Sequence, residues 1–295
     1  MHVLTLIAAK ASIVPVAETV NLLEQQGVKI ANGTWLSKGE AYEFHLPMPL
    51  APNVLHALQH EAEDHWRVDI VHQPLEGREK QLLISDMDST MIHQECIDEL
   101  ADMLGIKAYV AEITDRAMRG ELPFEPALRE RVALLKGMEE AALQRCFESR
   151  ITLMEGARTL LATMKKRGAY CLLVSGGFTF FTQRVAEALG FDAQEANRLQ
   201  LEAGVLTGTV AEPILGKEAK REALLRACAA RGISPQQTIA VGDGANDLPM
   251  LLAAGTGVAY RAKPLVREQA KVSITHANLA ALLYVQGIPR SEWVV

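Results

Sequence analysis

Short apolar runs alternate with helical patterns over residues 81–295, and this alternation restricts the class of fold. The runs that predict strands are Leu82–Ser85, Tyr170–Val174, Thr238–Val241 and Gly257–Ala259. The stretches that predict helices are Gly156–Arg167, Thr182–Leu189, Ala219–Arg231 and Leu248–Ala253. Such alternation is typical of an α/β fold, a parallel sheet with helices on both faces. A binding site is then expected at the carboxyl ends of the strands.

One segment, at about residues 92–152, contains helical patterns only. The predicted helices are Ile97–Leu104, Val110–Met118, Pro126–Leu135 and Glu139–Ser149. Because this helical insertion follows the Leu82–Ser85 strand, it would hang over the carboxyl edge of the sheet. A cap in that position could cover a site and exclude water from it.

Residues 1–73 have a different pattern, β-α-β-β-α-β, which is ferredoxin-like. The predicted strands are Val3–Ala9, Val28–Leu36, Ala41–Leu46 and Arg67–His72, and the predicted helices are Val16–Gln25 and Asn53–Glu63. Residues 74–80 form a polar linker. The sequence therefore predicts an N-terminal α+β domain at 1–73, without a catalytic constellation, and a second domain at 81–295.

The composition excludes several classes of protein. Hydrophobic residues make up 49% and charged residues 22% of the 295 residues, so the chain can bury a substantial core. The net charge is −6 and no block of Lys and Arg stands out, so we expect no nucleic-acid partner. An anionic substrate would need local cations or a metal ion to attract it.

The cysteines and the apolar runs indicate the cellular compartment in which such a chain would be found. The cysteines are widely spaced and form no C-x-x-C pair, so we expect reduced thiols and a cytoplasmic location. The first apolar run lacks a preceding basic region and stops at Lys10, which argues against a signal peptide. No run approaches the roughly 18 apolar residues of a membrane span.

The pair Asp86 and Asp88 directly follows the strand Leu82–Ser85. Two anions this close repel, so one must be protonated or a cation must lie between them. Phosphoryl transfer uses both states, a metal-bound nucleophile and a neighbouring acid. Alone, the pair is explained equally well by a polar strand end with a Ser/Thr helix cap.

Two later loops and one lysine could complete an anion site. Ser175, Gly176 and Gly177 end a strand and offer hydroxyl and backbone N–H donors. The acidic loop 242–247 offers carboxylates and an amide, which suit Mg²⁺, although an ordinary turn favours the same residues. Lys220 could clamp a phosphate, with Lys217 and Arg221 as rivals that spacing does not exclude. The residues of the acidic loop are Gly242, Asp243, Gly244, Ala245, Asn246 and Asp247.

In this order the elements resemble the haloacid dehalogenase superfamily of phosphatases. The matching motifs are Asp86-x-Asp88-x-Thr90, Ser175, Lys220 and Gly242-Asp243-Gly244-x-x-Asp247. The flanking sequence is similar to the phosphoserine phosphatases of that superfamily, over roughly residues 81–280. The segments that carry the likeness are Asp86–Thr90, Glu95–Glu99, Arg129–Val132, Ser175–Phe178 and Gly244–Asp247.

The resemblance implies Mg²⁺-dependent hydrolysis of phosphoserine through an aspartyl-phosphate, as the last step of serine biosynthesis. Asp86 would be the nucleophile and Asp88 the acid and base. The implied metal ligands are Asp86, the main-chain carbonyl of Asp88, and Asp243, with Asp247 supporting the metal shell. The implied phosphoryl-binding groups are Ser175, the Gly176 N–H and Lys220, with Asn246 as a further substrate contact.

Specificity would come from the helical insertion, because an amino acid presents both a carboxylate and an ammonium group. The family pattern selects Arg131 for the carboxylate and Glu95 for the ammonium. It also selects Met118 and Phe124 as apolar lining. Spacing alone leaves other arginines as rivals of Arg131, namely Arg116, Arg119 and Arg129.

Other functions stay open on the sequence alone. One is a related phosphatase or phosphotransferase for another small phosphorylated alcohol, such as phosphohomoserine or phosphothreonine. Another is a non-enzymatic sensor phosphorylated on aspartate. Residues 1–73 resemble an ACT-type regulatory domain in element order only. Serine binding by this unit and a homodimer are hypotheses, with plain packing as the alternative.

Overall fold

The structure is a computed structural model that describes residues 1–9 and 13–294. Its first unit is an antiparallel sheet in the order β2-β3-β1-β4. The strands are β1 (His2–Ala8), β2 (Asn32–Ser37), β3 (Ala41–Leu46) and β4 (Val68–Pro74). Helices α1 (Val16–Gln25) and α2 (Pro52–Glu61) pack on one face of it, and a π-helical turn, Ala62–Trp66, continues α2.

One predicted strand of this unit begins too early. The sequence predicted a strand from Val28, whereas β2 begins at Asn32. The cause is the end of α1, where Gly27 takes a left-handed φ of 68° and the N–H of Val28 donates back to the carbonyl of Leu23. These residues complete the helix end and cannot pair with β3 at the same time.

Eight further strands follow in the described part of the chain. They are β5 (Leu82–Ser85), β6 (Tyr170–Phe178), β7 (Ala193–Asn197), β8 (Leu199–Glu202), β9 (Val205–Val210), β10 (Thr238–Gly242), β11 (Thr256–Tyr260) and β12 (Val272–Ile274). Strands β8 and β9 form an antiparallel hairpin, and the others form one parallel sheet in the order β12-β11-β10-β5-β6-β7. Strand β5 therefore lies in the middle of the sheet.

The helices of this second unit fall into an insertion and two layers. The insertion, called the cap below, contains α3 (Cys96–Met103), α4 (Lys107–Met118), α5 (Phe124–Ala133) and α6 (Glu140–Arg150). The remaining helices are α7 (Ala157–Lys166), α8 (Thr179–Leu189), α9 (Lys217–Arg231), α10 (Leu248–Ala253), α11 (Pro264–Gln269) and α12 (Ala281–Val285).

Alternate residues of the parallel strands feed two separate hydrophobic clusters. On β5, Leu83 packs with α7, α8 and α12, whereas Leu82 and Ile84 pack with α9, α10 and α11. A sheet covered on both faces has nearly continuous apolar strands, as the sequence showed. The predicted fold class, an α/β parallel sheet with a helical cap and a separate N-terminal antiparallel sheet, is confirmed.

The N-terminal sheet packs its second face on the core, so both of its faces are covered. Ile7 and Val71 belong to the same hydrophobic cluster as the residues of α12. The side chain of Gln73 donates to the carbonyl of Val285, at 2.6 Å. Asp69 accepts hydrogen bonds from the backbone N–H groups of residues 275–277. The domain boundaries at 1–73 and 81–295, with a linker at 74–80, stay a prediction.

Within the ranges 1–9 and 13–294, each helix is either too short or too polar to cross a lipid bilayer.

Candidate active site

The acid pair Asp86 and Asp88 directly follows β5 at the centre of the parallel sheet. The N–H of Asp86 donates to the carbonyl of Val241 on β10, at 3.0 Å, and so continues the sheet. The chain then turns sharply, with Ser89 in the left-handed region at a φ of 54°. Both carboxyl groups are buried, at 3% and 9% exposure, and both line one cavity at the carboxyl edge of the sheet.

Lys220 joins this acid pair to the later acidic loop. Its Nζ lies 2.8 Å from Oδ1 of Asp86 and 2.6 Å from Oδ1 of Asp247. Burial alone would lower the pKa of Lys220, but the charges of Asp247 and Asp86 outweigh burial and raise it. The rivals Lys217 and Arg221 are exposed on α9, so the structure brings only Lys220 of these three cations to the acidic residues.

The acidic loop after β10 is held in place by its own hydrogen bonds. Oδ2 of Asp247 accepts from the N–H groups of Asp243 and Gly244, each at 3.1 Å. Thr90 donates its hydroxyl to Oδ1 of Asp243, also at 3.1 Å, and so ties the first motif to this loop. At Gly242 a Cβ atom would overlap the side chain of Asp247, so the loop requires glycine there.

Asp86, Asp243 and Asp247 could hold a metal ion together. One ligand oxygen from each lies within 4.8 Å of the others, and all three residues are buried. Burial, followed by repulsion from Asp247, raises the pKa of Asp86 to about 7. Burial and the same neighbour raise the pKa of Asp243 well above its ordinary value. Lys220 alone does not balance three buried carboxylates, and a divalent cation with a preference for oxygen ligands fits this set.

The Asp88 side chain stands outside that trio. Burial raises its pKa to about 6, against the opposing hydrogen bonds from Cys96 and the charge of Lys220. Its Oδ1 is buried without a hydrogen-bond partner among the described residues. The expected metal contact through the Asp88 main-chain carbonyl stays a prediction. A carboxyl group with this pKa can exchange a proton near neutral pH.

A small cavity of about 40 Å³, called the inner cavity below, lies between the cap and the core. The predicted site residues that line it from the core are Asp86, Asp88, Ser175, Gly176 and Asn246. Those that line it from the cap side are Glu95, Met118, Phe124 and Arg131. Ser175 is 1% exposed and accepts a hydrogen bond from the N–H of Gly177, at 2.9 Å. Oδ1 of Asn246 is buried and unpartnered among the described residues.

Two apolar side chains of the cap touch glycines of the core, so the cap is closed. A Cβ atom on Gly176 would lie 2.7 Å from Cζ of Phe124, and one on Gly244 would lie 2.6 Å from Cε of Met118. Phe124 also lines an open groove of about 820 Å³ between the cap and the start of α9. Its ring therefore separates the inner cavity from that groove.

Arg131 is the arginine that reaches the inner cavity, and it is 5% exposed. Its Nε donates to the carbonyl of Ala127 at 3.0 Å, and its Nη1 donates to Oγ1 of Thr114 at 2.9 Å. Burial lowers the pKa of Arg131, and the charge of Glu95 opposes that effect most strongly. The rival arginines instead pair with acidic side chains at the surface: Arg116, Arg119 and Arg129.

Glu95 precedes α3 and faces the same cavity as Arg131. Ser89 donates its hydroxyl to Oε1 of Glu95, at 2.6 Å, and so orients the carboxyl group. Burial raises the pKa of Glu95 well above its ordinary value, and the charges of Asp88 and Asp243 add to the effect. A cationic group in the cavity would stabilise the ionised form of Glu95.

Comparison with known proteins agrees with this geometry. Residues 83–252, more than half of the chain, match the haloacid dehalogenase-like hydrolases. The chain belongs to this family. A phosphoserine phosphatase from a Polaromonas species is 48% identical over 221 residues, which cover 73% of this chain and 94% of that relative. Another, from Archaeoglobus fulgidus, is 44% identical, with 81% and 70% covered.

Solved structures of haloacid dehalogenase hydrolases show the same architecture. A family hydrolase from Salmonella enterica serovar Typhi superposes with a TM-score of 0.85 at 31% identity, covering 96% of this chain and 97% of that one. A substrate-bound phosphoserine phosphatase gives a TM-score of 0.67 at 40% identity, covering 70% and 98%. The resemblance to phosphoserine phosphatases that the motifs indicated is confirmed.

This haloacid dehalogenase hydrolase also contains site residues to which the sequence assigned no role. Ser89 orients Glu95, and Thr114 contacts both Arg131 and Asp98. A weak signal for Thr114 was present, since it lies four residues before Met118 and so shares a helix face with it. The signal for Asp98 was similar, because it lies three residues after Glu95.

Proposed function

We propose that this hydrolase is a phosphoserine phosphatase, which converts O-phospho-L-serine and water to L-serine and phosphate. One observation carries the proposal: Arg131 and Glu95 face one cavity whose other wall holds Asp86 and Asp88. A phosphorylated amino acid presents a carboxylate, an ammonium group and a phosphate. In the cavity, Arg131 can pair with the carboxylate and Glu95 with the ammonium group. Asp86 and Asp88 then face the phosphate as the reacting groups. Relatives that carry this name are 41–49% identical to the chain.

In the first step, an oxygen of the Asp86 carboxylate attacks phosphorus and the bond from phosphorus to the serine oxygen breaks. The products of this step are an aspartyl-phosphate and serine. Lys220, the hydroxyl of Ser175 and the N–H of Gly176 donate to the phosphoryl oxygens, on which negative charge develops. The 2.8 Å contact between Lys220 and Asp86 supports this role, because a phosphoryl group on Asp86 would lie beside the ammonium.

Asp88 moves the proton in both steps. The serine oxygen is a poor leaving group unless it is protonated, and a carboxyl group with a pKa of about 6 is partly protonated near neutral pH. Asp88 protonates that oxygen as its bond to phosphorus breaks. The resulting Asp88 carboxylate then takes a proton from the water that attacks the phosphorus of phospho-Asp86, which releases phosphate and restores both carboxyl groups.

Asp86, Asp243 and Asp247 would hold Mg²⁺, together with the main-chain carbonyl of Asp88. When bound, the ion supplies positive charge that reduces the repulsion between the Asp86 carboxylate and the substrate phosphate. The raised pKa values of Asp86 and Asp243 support this assignment, because buried carboxyl groups without a cation retain their protons.

The decisive experiment measures phosphate release from a panel of phosphate esters, with Mg²⁺ and with EDTA. The panel contains phosphoserine, phosphothreonine, phosphohomoserine, phosphoethanolamine and p-nitrophenyl phosphate. We expect the highest kcat/KM for phosphoserine, only with Mg²⁺, and none for Asp86→Asn. The matched control is Asp64→Asn, at an exposed acid of the N-terminal unit. Preference for another ester would identify a different phosphatase, and one phosphate per chain without turnover would identify a sensor.

The N-terminal unit belongs to this proposal as two hypotheses, serine binding and a homodimer. Serine that binds only as a product occupies the inner cavity and should not bind Arg131→Ala, whereas serine bound at residues 1–73 would still bind that variant. Loss of all serine binding in Arg131→Ala, measured by isothermal titration calorimetry, would contradict serine regulation through this unit. Sedimentation at a single-chain mass would contradict the homodimer. The four cysteines are buried and unpaired, which favours the proposed cytoplasmic location. Release of serine from phosphoserine would make this reaction the last step of serine biosynthesis.

A further inference from the structure

A buried chain of hydrogen bonds links Arg131 to Asp98 through Thr114. Arg131 Nη1 donates to Oγ1 of Thr114 at 2.9 Å. The one hydrogen of the Thr114 hydroxyl has two acceptors in reach, Oδ1 of Asp98 at 2.7 Å and the carbonyl of Val110 at 3.0 Å, and we assign it to the shorter contact with the carboxylate. Arg131 is 5% exposed, Thr114 3% and Asp98 9%. They come from α5, α4 and α3, so this contact ties three cap helices together.

The guanidinium of Arg131 keeps donors free for a ligand. It has five N–H groups, of which the contacts to Ala127 and Thr114 use two. Among residues 1–9 and 13–294, no carboxylate forms a direct ion pair with Arg131. The free N–H groups on its two Nη atoms can therefore form a bidentate contact with a carboxylate in the inner cavity.

The hydroxyl of Thr114 explains how Arg131 remains both charged and free. A buried guanidinium needs a negative charge nearby, and Asp98 is one of those that oppose the effect of burial on the pKa of Arg131. A direct pair between Asp98 and Arg131 would occupy the same N–H fork that a substrate carboxylate requires. With Thr114 between them, Asp98 acts through one hydroxyl and leaves the fork open.

We propose that Thr114 is a positioning residue for substrate specificity, which separates Asp98 from Arg131 and aims the guanidinium at the carboxylate of the substrate. This inference rests on the proposed function, since it concerns how the same cavity selects a phosphorylated amino acid. It predicts that loss of the Thr114 hydroxyl allows Asp98 to pair directly with Arg131. The cavity then loses its affinity for carboxylates and keeps its affinity for phosphate and ammonium groups.

The test compares phosphoserine with phosphoethanolamine, which has the same phosphate and ammonium groups but no carboxylate. We expect Thr114→Val to raise KM for phosphoserine about tenfold or more, as for a lost hydrogen bond to a charged group, with kcat within about twofold. The KM for phosphoethanolamine should not change. Thr114→Ser keeps the hydroxyl and should restore the wild-type KM for phosphoserine.

A matched control uses the other hydroxyl contact of the site. Ser89→Ala removes the hydrogen bond to Glu95 and should raise KM for both substrates, because both carry an ammonium group. A merely structural role for Thr114 would change both substrates alike and is contradicted by an effect on phosphoserine alone. An unchanged KM for phosphoserine in Thr114→Val, or an equal rise for both substrates, would overturn the inference. A wild-type enzyme without activity on phosphoserine would overturn the proposed function and this inference together.

Discussion

The ammonium nitrogen of Lys220 lies 2.8 Å from Oδ1 of Asp86, and both side chains are almost completely buried. A second contact, of 2.6 Å, joins the same nitrogen to Asp247. One lysine therefore stabilises two buried carboxylates before any substrate arrives. The same group that would bind a phosphoryl oxygen also maintains the fold of the site.

The first prediction concerns this double role. Lys220→Met should lower the free energy of unfolding by about 3–5 kcal/mol in EDTA at neutral pH, because it leaves Asp86 and Asp247 without their cation. It should also reduce kcat/KM for phosphoserine by about 10²-fold or more, since one phosphoryl contact is lost. Urea unfolding and steady-state kinetics measure the two effects. Lys217→Met, on the exposed side of α9, is the control and should leave both values unchanged.

The second prediction concerns pH in the metal-free protein. The pKa values of Asp86, about 7, and Asp88, about 6, lie above their ordinary value of 3.8. Between about pH 4 and pH 7 the folded state therefore binds more protons than the unfolded state, and the free energy of unfolding falls as pH rises. In EDTA the Tm should fall across this window, and Mg²⁺ should raise it more at pH 8 than at pH 5. A Tm in EDTA that rises across the window would contradict this account.

The third prediction separates the two acids by their roles. Asp88→Asn retains the nucleophile Asp86 but has no carboxyl group to protonate the serine oxygen or to activate water. Both steps should slow, with kcat reduced by about 10²–10⁴-fold, and the aspartyl-phosphate accumulates if its hydrolysis slows more than its formation. Acid quenching followed by mass spectrometry would detect the phosphorylated chain. Wild-type kcat in Asp88→Asn would refute its role as acid and base.

The sequence predicted the centre of the sheet better than its edges. Strands β5 and β10 are buried on both faces, and their continuous apolar runs were recognised within one residue. Strands β7 and β12 lie at the two edges and were not predicted. Strand β7 has the polar sequence AQEAN, and β12 has only three residues, so neither carries an apolar run. Their place depends on neighbours distant in the sequence.

The candidate site divides in a similar way. Asp86, Ser175, Lys220 and Asp243 belong to motifs, because each lies at the end of a strand or in the first turn of a helix, near the carboxyl edge of the sheet. The link from Thr114 to Arg131 spans 17 residues and two cap helices. It depends on how α3, α4 and α5 pack, and no spacing in the sequence fixes that packing. Specificity contacts of this kind could therefore be identified only from the structure.

The fourth prediction tests closure of the cap on Gly176. A Cβ atom at this position would lie 2.7 Å from the ring of Phe124, so Gly176→Ala should hold the cap away from the core. We expect kcat/KM for phosphoserine to fall by about 10²-fold, because small displacements of bound groups are costly. The double variant with Phe124→Leu should recover part of the loss. Gly216→Ala is the control, because its Cβ would lie 3.7 Å from the same ring, an ordinary contact.

The last prediction concerns the seam between the N-terminal sheet and the core, where Asp69 is 4% exposed. Its carboxyl oxygens accept from the N–H groups of Thr275 and Ala277 at 2.7 and 2.8 Å. Burial raises the pKa of Asp69, and these backbone hydrogen bonds oppose it. The side chain therefore satisfies donors that would otherwise be buried without partners.

Asp69→Ala should accordingly lower the free energy of unfolding by about 3 kcal/mol, the cost of unsatisfied buried donors. Its kcat/KM for phosphoserine should stay near the wild-type value, because Asp69 does not line the inner cavity. Its partner Thr275 follows β12, and β11 separates β12 from β10, which carries the acidic loop. The control is Asp64→Ala, at an exposed acid of the same unit. A large fall in kcat/KM at unchanged stability would instead mean that this seam communicates with the active site.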